Sequence, residues 1–373
     1  MTQNQDAQPR VSIIGTRGYP SFYGGFETAV RRLVPAFADA GWDVTVYGRP
    51  GGQKAGADRD RRVTVRTTRG LETKALSTLT YGFTAVLDAL LRRTQAALVM
   101  NVANGFWLPL LRLRGIPVAV NVDGIEWERA KWGRLARAVF RAGAWMTARF
   151  ADVIIVDAEA IGDYWREKYG RESVFIPYGG DPADATVVPL DLDDRGYVLV
   201  VARFVPENTI GEFLDAIEML PDDRDVVIVG SSGYGGELEE RAARIAGARS
   251  NVRWLGHLSD DELLHALWTH AGVYFHGHSV GGTNPALVQA MALGAPTLAL
   301  DTVYNREVLG QEHGQFVRAD AAEIARGISA LIDDSSEQDR ISATSRTRAE
   351  SRYSWSSVTQ TYETTMRRLV QKG

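Results

Sequence analysis

Cysteine is absent from the 373 residues, which excludes disulfides, thiolate metal sites and cysteine nucleophiles. The start, MTQNQDAQPR, lacks the apolar run of a secretory leader, and no later stretch is long and apolar enough to cross a bilayer. A cytoplasmic protein is therefore expected. Positive charge is not in excess either. The formal net charge of −4 gives no global reason to expect nucleic acid as a partner. Short-period repeats and low-complexity segments are also missing. What remains, 45% hydrophobic and 24% charged, is a globular composition whose length suits two domains better than one core.

Short β-rich apolar runs alternate with helix-length segments, the pattern of parallel sheets flanked by helices. Strands are expected at 11–15, 43–47, 63–67, 97–102, 117–122 and 152–156, with helices such as 28–40 and 77–93 between them. A passage rich in Pro, Gly and Asp, IPYGGDPADATVVPLDLDDRG at 176–196, reads as a linker. The rhythm restarts at YVLVVARF (197–204), with strands near 226–229, 252–254, 273–275 and 297–300, and 355–370 reads as one closing helix. The expected fold class is α/β: two doubly wound, Rossmann-like parallel-sheet domains, 1–188 and 189–352, facing each other across a cleft. Residues 353–373 are expected to pack back on the first domain. Ligands of such sheets sit at the carboxyl ends of strands, so the loops that follow strands are where chemistry is sought.

Four loops qualify. GTRGYPSFYGGFET (15–28) follows the first strand; Gly24 and Gly25 would let a ligand approach the backbone, Arg17 could meet a phosphate, and Glu27 falls at a helix start. It lacks both the dinucleotide-binding glycine spacing and the P-loop ending, and a plain surface loop is the other reading. NVDGIEWERAKWGR (121–134) sets Asp123, Glu126 and Glu128 at a strand end, where one could accept a proton from a hydroxyl or could instead cap the next helix. VARFVPENT places Arg203 just past a strand; its fork suits a diphosphate, although a salt bridge is the commoner use. Finally, GHSVGGTNPALVQAMALGAP (277–296) joins Gly281, Gly282 and Thr283 to Asn284, an N-cap, and Pro285, a first helical residue. Helix dipole and exposed N–H groups together favour an anion there, while a close-packed turn would want the same glycines. His276 and His278 could bind a metal as a His-x-His pair, but no carboxylate is near in sequence, and His278 as a hydrogen bonder is preferred.

With GGFE, IPYGG, VARFVPEN, GGTNPALVQAMALGAP and RYSWSSVTQTYE in this order, the chain resembles retaining glycosyltransferases of the GT-B fold, family four. GTRGYPSFYGGFET, DGIEWERAKW and HSVGGTNPAL are similar to a bacterial subgroup that includes rhamnosyltransferases of surface-polysaccharide assembly. The resemblance implies a nucleotide-sugar donor, dTDP-L-rhamnose or a UDP-sugar, no metal and no cofactor, and a glycan or lipid-linked acceptor. It implies donor contacts from Gly24, Gly25, Arg203, Asn208, His257, Leu258, His278, Gly281, Gly282, Thr283, Asn284 and Gln289. Asp123, Glu126 and Arg203 would be catalytic, and Arg17, Tyr23, Glu27 and Trp127 would face the acceptor. Two departures stand out. The family's two glutamates fall on Gly281 and Gln289, and its lysine after the arginine falls on Asn208. Gln289 could still accept from a ribose hydroxyl, without charge.

The segment 129–150 has six basic residues and no acid. At helical spacing Trp132, Leu135, Val139 and Met146 fall on one side, with Lys131, Arg134, Arg137, Arg141 and Arg149 on the other side or its flank. The apolar side is expected to pack on the sheet and the basic side to attract anionic lipid weakly. A nucleotide-sugar epimerase of the same architecture, or a non-catalytic nucleotide-sugar-binding partner, are the alternatives to a transferase.

Overall fold

The computed structural model describes residues 8–21, 24–52, 59–72, 77–129, 132–184 and 187–372. The chain forms two compact units. The first runs to Tyr178 and takes up the chain again from Trp355; the second spans Gly179–Ser354. The proline- and glycine-rich passage thus gives its first three residues to the first unit and the rest to the second.

The first unit contains β1 (Arg10–Ile14), α1 (Gly25–Asp39), β2 (Asp43–Gly48), β3 (Thr64–Thr67), α2 (Ser77–Leu91), β4 (Ala96–Met100), α3 (Leu108–Leu113), β5 (Val118–Asn121), α4 (Arg134–Phe150), β6 (Val153–Val156), α5 (Glu159–Tyr169) and β7 (Val174–Phe175). All strands are parallel, in the order β3-β2-β1-β4-β5-β6-β7. Buried on both faces, β4 reads AALVM without alternation, as a central parallel strand should. Right-handed crossovers put α2, α3 and α4 on one face of the sheet and α1 on the other.

The second unit contains β8 (Tyr197–Val201), α6 (Ile210–Glu218), β9 (Asp225–Val229), α7 (Glu237–Ala248), β10 (Val252–Gly256), α8 (Asp261–Thr269), β11 (Val273–His276), α9 (Pro285–Leu293), β12 (Thr297–Leu300), α10 (Val303–Leu309), β13 (Phe316–Val317), α11 (Ala321–Ile332) and α12 (Ser335–Arg352). Its parallel order is β10-β9-β8-β11-β12-β13. Val198, Val200, Phe213, Ile228 and Phe275 centre its core, with the rings of Phe213 and Phe275 stacked 5.1 Å apart. Where the chain enters and leaves this unit the two segments lie side by side, the Gly180 N–H donating to Tyr353 O at 2.8 Å.

The closing helix, α13 (Trp355–Lys372), packs on α1 and reaches β4 and β5 of the first sheet. Trp42 Nε1 donates to Glu363 at 3.2 Å, and the guanidinium of Arg32 lies 5.8 Å from the centre of the Trp355 ring.

One expectation fails at α4. The apolar stripe through Leu135 was expected to be the packed side, yet Leu135 is 81% exposed and Trp145 58% exposed. The packed side is instead Gly143, Ala144 and Thr147. Small residues win here because α4 rides directly on the turn Val102–Trp107, whose Gly105 lies close to the Gly143 carbonyl and the Thr147 hydroxyl. Larger side chains have no room on that side. Lys131 lies outside the described residues.

Candidate functional site

In an open parallel sheet the ligand crevice opens where the strand order reverses. In the second unit this point lies between β8 and β11: β9 and β10 run off to one side, β12 and β13 to the other. The loop after β8 carries Arg203, and the loop after β11 is Gly277–Asn284. Both loops singled out in the sequence therefore flank one switch point.

They are also fastened to each other. Asn208 donates from Nδ2 to Arg203 O at 2.8 Å, while its Oδ1 faces His278 Nδ1 at 2.6 Å. The Thr209 hydroxyl donates to Gly277 O at 2.7 Å, and Ser279 donates its N–H to Glu207 O at 2.8 Å. From the far side Asn305 donates to His278 O at 3.0 Å. Gly277 is obligatory in this arrangement, since a Cβ there would stand 2.5 Å from Asn208 O. Asn208, expected among the donor contacts in the place of the family's lysine, is buried, with both ends of its amide committed to the two loops. Arg203, by contrast, is exposed, and its side chain makes no hydrogen bond or ion pair among the described residues.

Gly281 is buried with φ +87°, and Asn284 caps α9, its side chain accepting from the Ala286 N–H at 2.9 Å. Pro285 has no N–H and the Ala286 N–H is taken by the cap, so the tip offers fewer open donors than the sequence suggested. The half-buried Gly282 and buried Thr283 complete the loop. At the neighbouring strand end, Gly230 donates its N–H to Gly256 O at 2.7 Å and accepts from Trp254 Nε1 at 2.9 Å. This brings the exposed His257 and half-buried Leu258 to the same edge of the sheet.

Gln289 does not serve as a free acceptor. Its Oε1 accepts from the Asp181 N–H at 3.2 Å and its Nε2 donates to Asp181 O at 2.7 Å. An uncharged amide matches a peptide group, donor to acceptor and acceptor to donor, whereas a carboxylate could satisfy only the N–H.

The two histidines stand in different surroundings. Their rings stand 6.2 Å apart; His276 is buried, its Nδ1 3.0 Å from the Tyr274 hydroxyl. Among the described residues no three His, Asp or Glu side chains are placed to hold a metal ion. Burial, reinforced by His278, lowers the His276 pKa to about 3, and burial lowers that of His313 to about 4. Both stay neutral in the folded protein, while in the unfolded chain they gain protons below about pH 6.5. Their stability contribution is therefore whole above that pH and declines as pH falls towards 4 and then 3. Each forfeits about 2 kcal/mol between pH 6.5 and 5. His276→Gln is expected to lose less stability than the unaltered protein between pH 7 and pH 5 in urea denaturation; equal losses would refute the assignment.

In the first unit the order reverses between β1 and β4, and the loops after β1 and β5 carry the expected residues. Glu27 is buried, and its Oε1 accepts from the Arg17 N–H at 3.0 Å. Gly24 precedes α1, and the space over Gly25 is taken by the Tyr178 hydroxyl, 2.8 Å from where a Cβ would stand. Tyr23 lies outside the described residues. Asp123 adopts φ +56°, an uncommon conformation for a residue with a side chain. Its N–H donates to Asn121 Oδ1 at 3.0 Å, and Asn121 Nδ2 donates to the Tyr362 hydroxyl of α13 at 2.6 Å.

Asp123 is partly open, with Arg129 at 3.5 Å. Glu126, expected beside it as a catalytic group, is buried: Arg129 pairs with one oxygen at 2.9 Å and Trp132 Nε1 donates to the other at 3.1 Å. Trp127, expected to face an acceptor, is also buried, its ring 6.0 Å from that of Tyr164. The short turn Glu126–Glu128 turns both side chains inward. Missed in the sequence were Tyr178 and Tyr362. Burial, and then Asp123, Asp157, Tyr362 and Glu27, keep the Tyr178 hydroxyl protonated well beyond the usual range. Tyr178 sits in the IPYGG stretch, the one local signal of its presence.

Residues 23–184 match the model of Glycosyltransferase Family 4, and residues 187–348 that of Glycosyl transferases group 1. No curated protein sequence matches the chain. Among solved structures it is similar to sucrose-phosphate synthase from Thermosynechococcus elongatus, with a TM-score of 0.81 at 20% identity, covering 98% of this chain and 100% of the other. HepE from Anabaena, in complex with UDP-glucose, gives 0.75 at 16% identity over 96% and 100%. The catalytic domain of starch synthase IV from Arabidopsis thaliana, bound to ADP and acarbose, gives 0.71 at 12% over 98% and 100%. These likenesses establish the GT-B fold, and with the two family matches laid end to end the chain belongs to the glycosyltransferases that join a family 4 amino-terminal half to a group 1 carboxyl-terminal half.

Proposed function

We propose that this chain is a retaining, metal-independent glycosyltransferase. It moves a sugar, L-rhamnose from dTDP-L-rhamnose, onto a lipid-linked glycan acceptor during polysaccharide assembly at the cytoplasmic side of a membrane. The observation that carries the reading is the second unit's switch point, where an exposed Arg203 and the Asn284-capped tip of α9 are held by mutually bonded loops. Guanidinium and helix N-terminus together suit a diphosphate. HepE is described with UDP, with UDP and glucose and with UDP-glucose, and starch synthase IV with ADP, which supports a nucleoside diphosphate sugar here.

In the reaction the bond between the anomeric carbon and the diphosphate oxygen breaks, and the leaving oxygen's charge falls on Arg203 and the tip. The acceptor hydroxyl attacks from the same face, and its proton passes to Asp123 or to the departing phosphate. No protein nucleophile is needed. The dTDP preference rests on two supports: the resemblance to rhamnosyltransferases, and Gln289, which is spent on Asp181 and leaves no carboxylate for ribose hydroxyls. A deoxyribose, with one hydroxyl fewer, asks less of that place.

A panel of dTDP-, UDP- and GDP-sugars, read by thermal shift and by release of nucleoside diphosphate, tests this. The largest shift and fastest release are expected with dTDP-L-rhamnose. Preference for a UDP-sugar would overturn the sugar assignment. Conversion of the donor to an isomer without nucleotide release would overturn transfer and indicate an epimerase.

A further inference from the structure

Among the described residues of the first unit, the outer side of α2, α3 and α4 carries most of the exposed large apolar side chains. On α2, Phe83, Leu87 and Leu91 recur every four residues and so form one stripe, all three exposed; Leu91 is 83% exposed. Leu113, at the end of α3, is 82% exposed between the exposed Arg112 and Arg114. On α4, Leu135 and Trp145 share the outward side with exposed Arg134, Arg141 and Arg149, and the helix holds no acid at all. The three helices are neighbours, α2 against α3 and α3 against α4, on the same side of the sheet.

We infer that this three-helix face is a membrane-docking surface that seats its leucines and Trp145 into the interfacial layer of an anionic bilayer, with the arginines on lipid phosphates. Charge and geometry choose a bilayer over a protein partner. The face is the solvent side of a helix layer, and its cations flank the apolar side chains as headgroups flank acyl chains. Binding therefore has two components: one screened by salt, from the arginines, and one that persists, from the apolar insertion. This goes beyond attraction to the basic side of α4 alone. It rests on the lipid-linked acceptor reading only for its use, since the surface exists whatever sugar is moved.

Sedimentation of the full chain with phosphatidylcholine–phosphatidylglycerol vesicles tests it. Binding is expected to weaken at high salt without vanishing, and to be lower on phosphatidylcholine alone. Brominated acyl chains are expected to quench tryptophan emission in the unaltered protein and less in Trp145→Phe. The double variant Leu135→Glu/Trp145→Glu, whose sites are exposed and whose fold circular dichroism verifies, is expected to bind about tenfold more weakly or worse. Unchanged binding by that variant, complete loss of binding in salt, or concentration-dependent dimers without vesicle binding would each overturn the inference. Vesicle binding is read without turnover, so transfer to a water-soluble acceptor would sink the lipid-linked reading and leave this one standing.

Discussion

Arg203→Ala is expected to lower kcat/KM for nucleoside diphosphate release about 100- to 1,000-fold, the usual cost of removing a preorganised donor from developing charge. The melting temperature should barely move, because the residue is exposed and its side chain makes no hydrogen bond or ion pair among the described residues. The loss should fall mainly on kcat, because the leaving oxygen is more negative in the transition state than in the bound donor. Arg203→Lys should recover part of it, a point charge replacing a two-pronged fork. Steady-state kinetics with measurement of released nucleotide decides the matter. A loss smaller than about threefold would remove Arg203 from the reaction.

Asp123→Asn is expected to lower kcat about 100- to 10,000-fold with the donor KM little changed, the range for removing a general base. Tyr362 should matter through it. Its hydroxyl accepts from Asn121, whose Oδ1 in turn takes the Asp123 N–H and holds that residue at φ +56°. Tyr362→Phe removes only the hydroxyl and should cost about tenfold in kcat. Adding it to Asp123→Asn should cost nothing more, since two residues in one chain of hydrogen bonds do not act additively. Independent, multiplying losses would show that Tyr362 merely supports the fold. No loss on Asp123→Asn would leave the proton to the departing phosphate.

Much of this was legible locally. The central strands announce themselves because both their faces are buried, so apolar runs such as VSII and AALVM mean what they seem to mean. The Asn284 cap and Pro285 start were legible for the same reason, a helix end being decided by its own few residues. The edge strands Val174–Phe175 and Phe316–Val317 were not, because two residues become a strand only through a neighbour. Partnerships across the chain were equally hidden. Gln289 finds Asp181 over 108 positions, and Asn121 finds Tyr362 over 241. The acids of DGIEWE show the limit from the other side: one turn of backbone leaves Asp123 partly open and seals Glu126 and Trp127 inward. Residue type told which groups were present there, but not which way each would face.

The return of α13 to the first sheet has a consequence for how the protein is made. Residues 10–178 leave the ribosome long before Trp355 and Tyr362 exist, so Asn121 and Trp42 must wait unclothed while the entire intervening unit is translated and closes on itself. Chains that end before Trp355 and are released from the ribosome should therefore carry a finished carboxyl-terminal unit beside an unfinished amino-terminal one, the reverse of the order in which they were written.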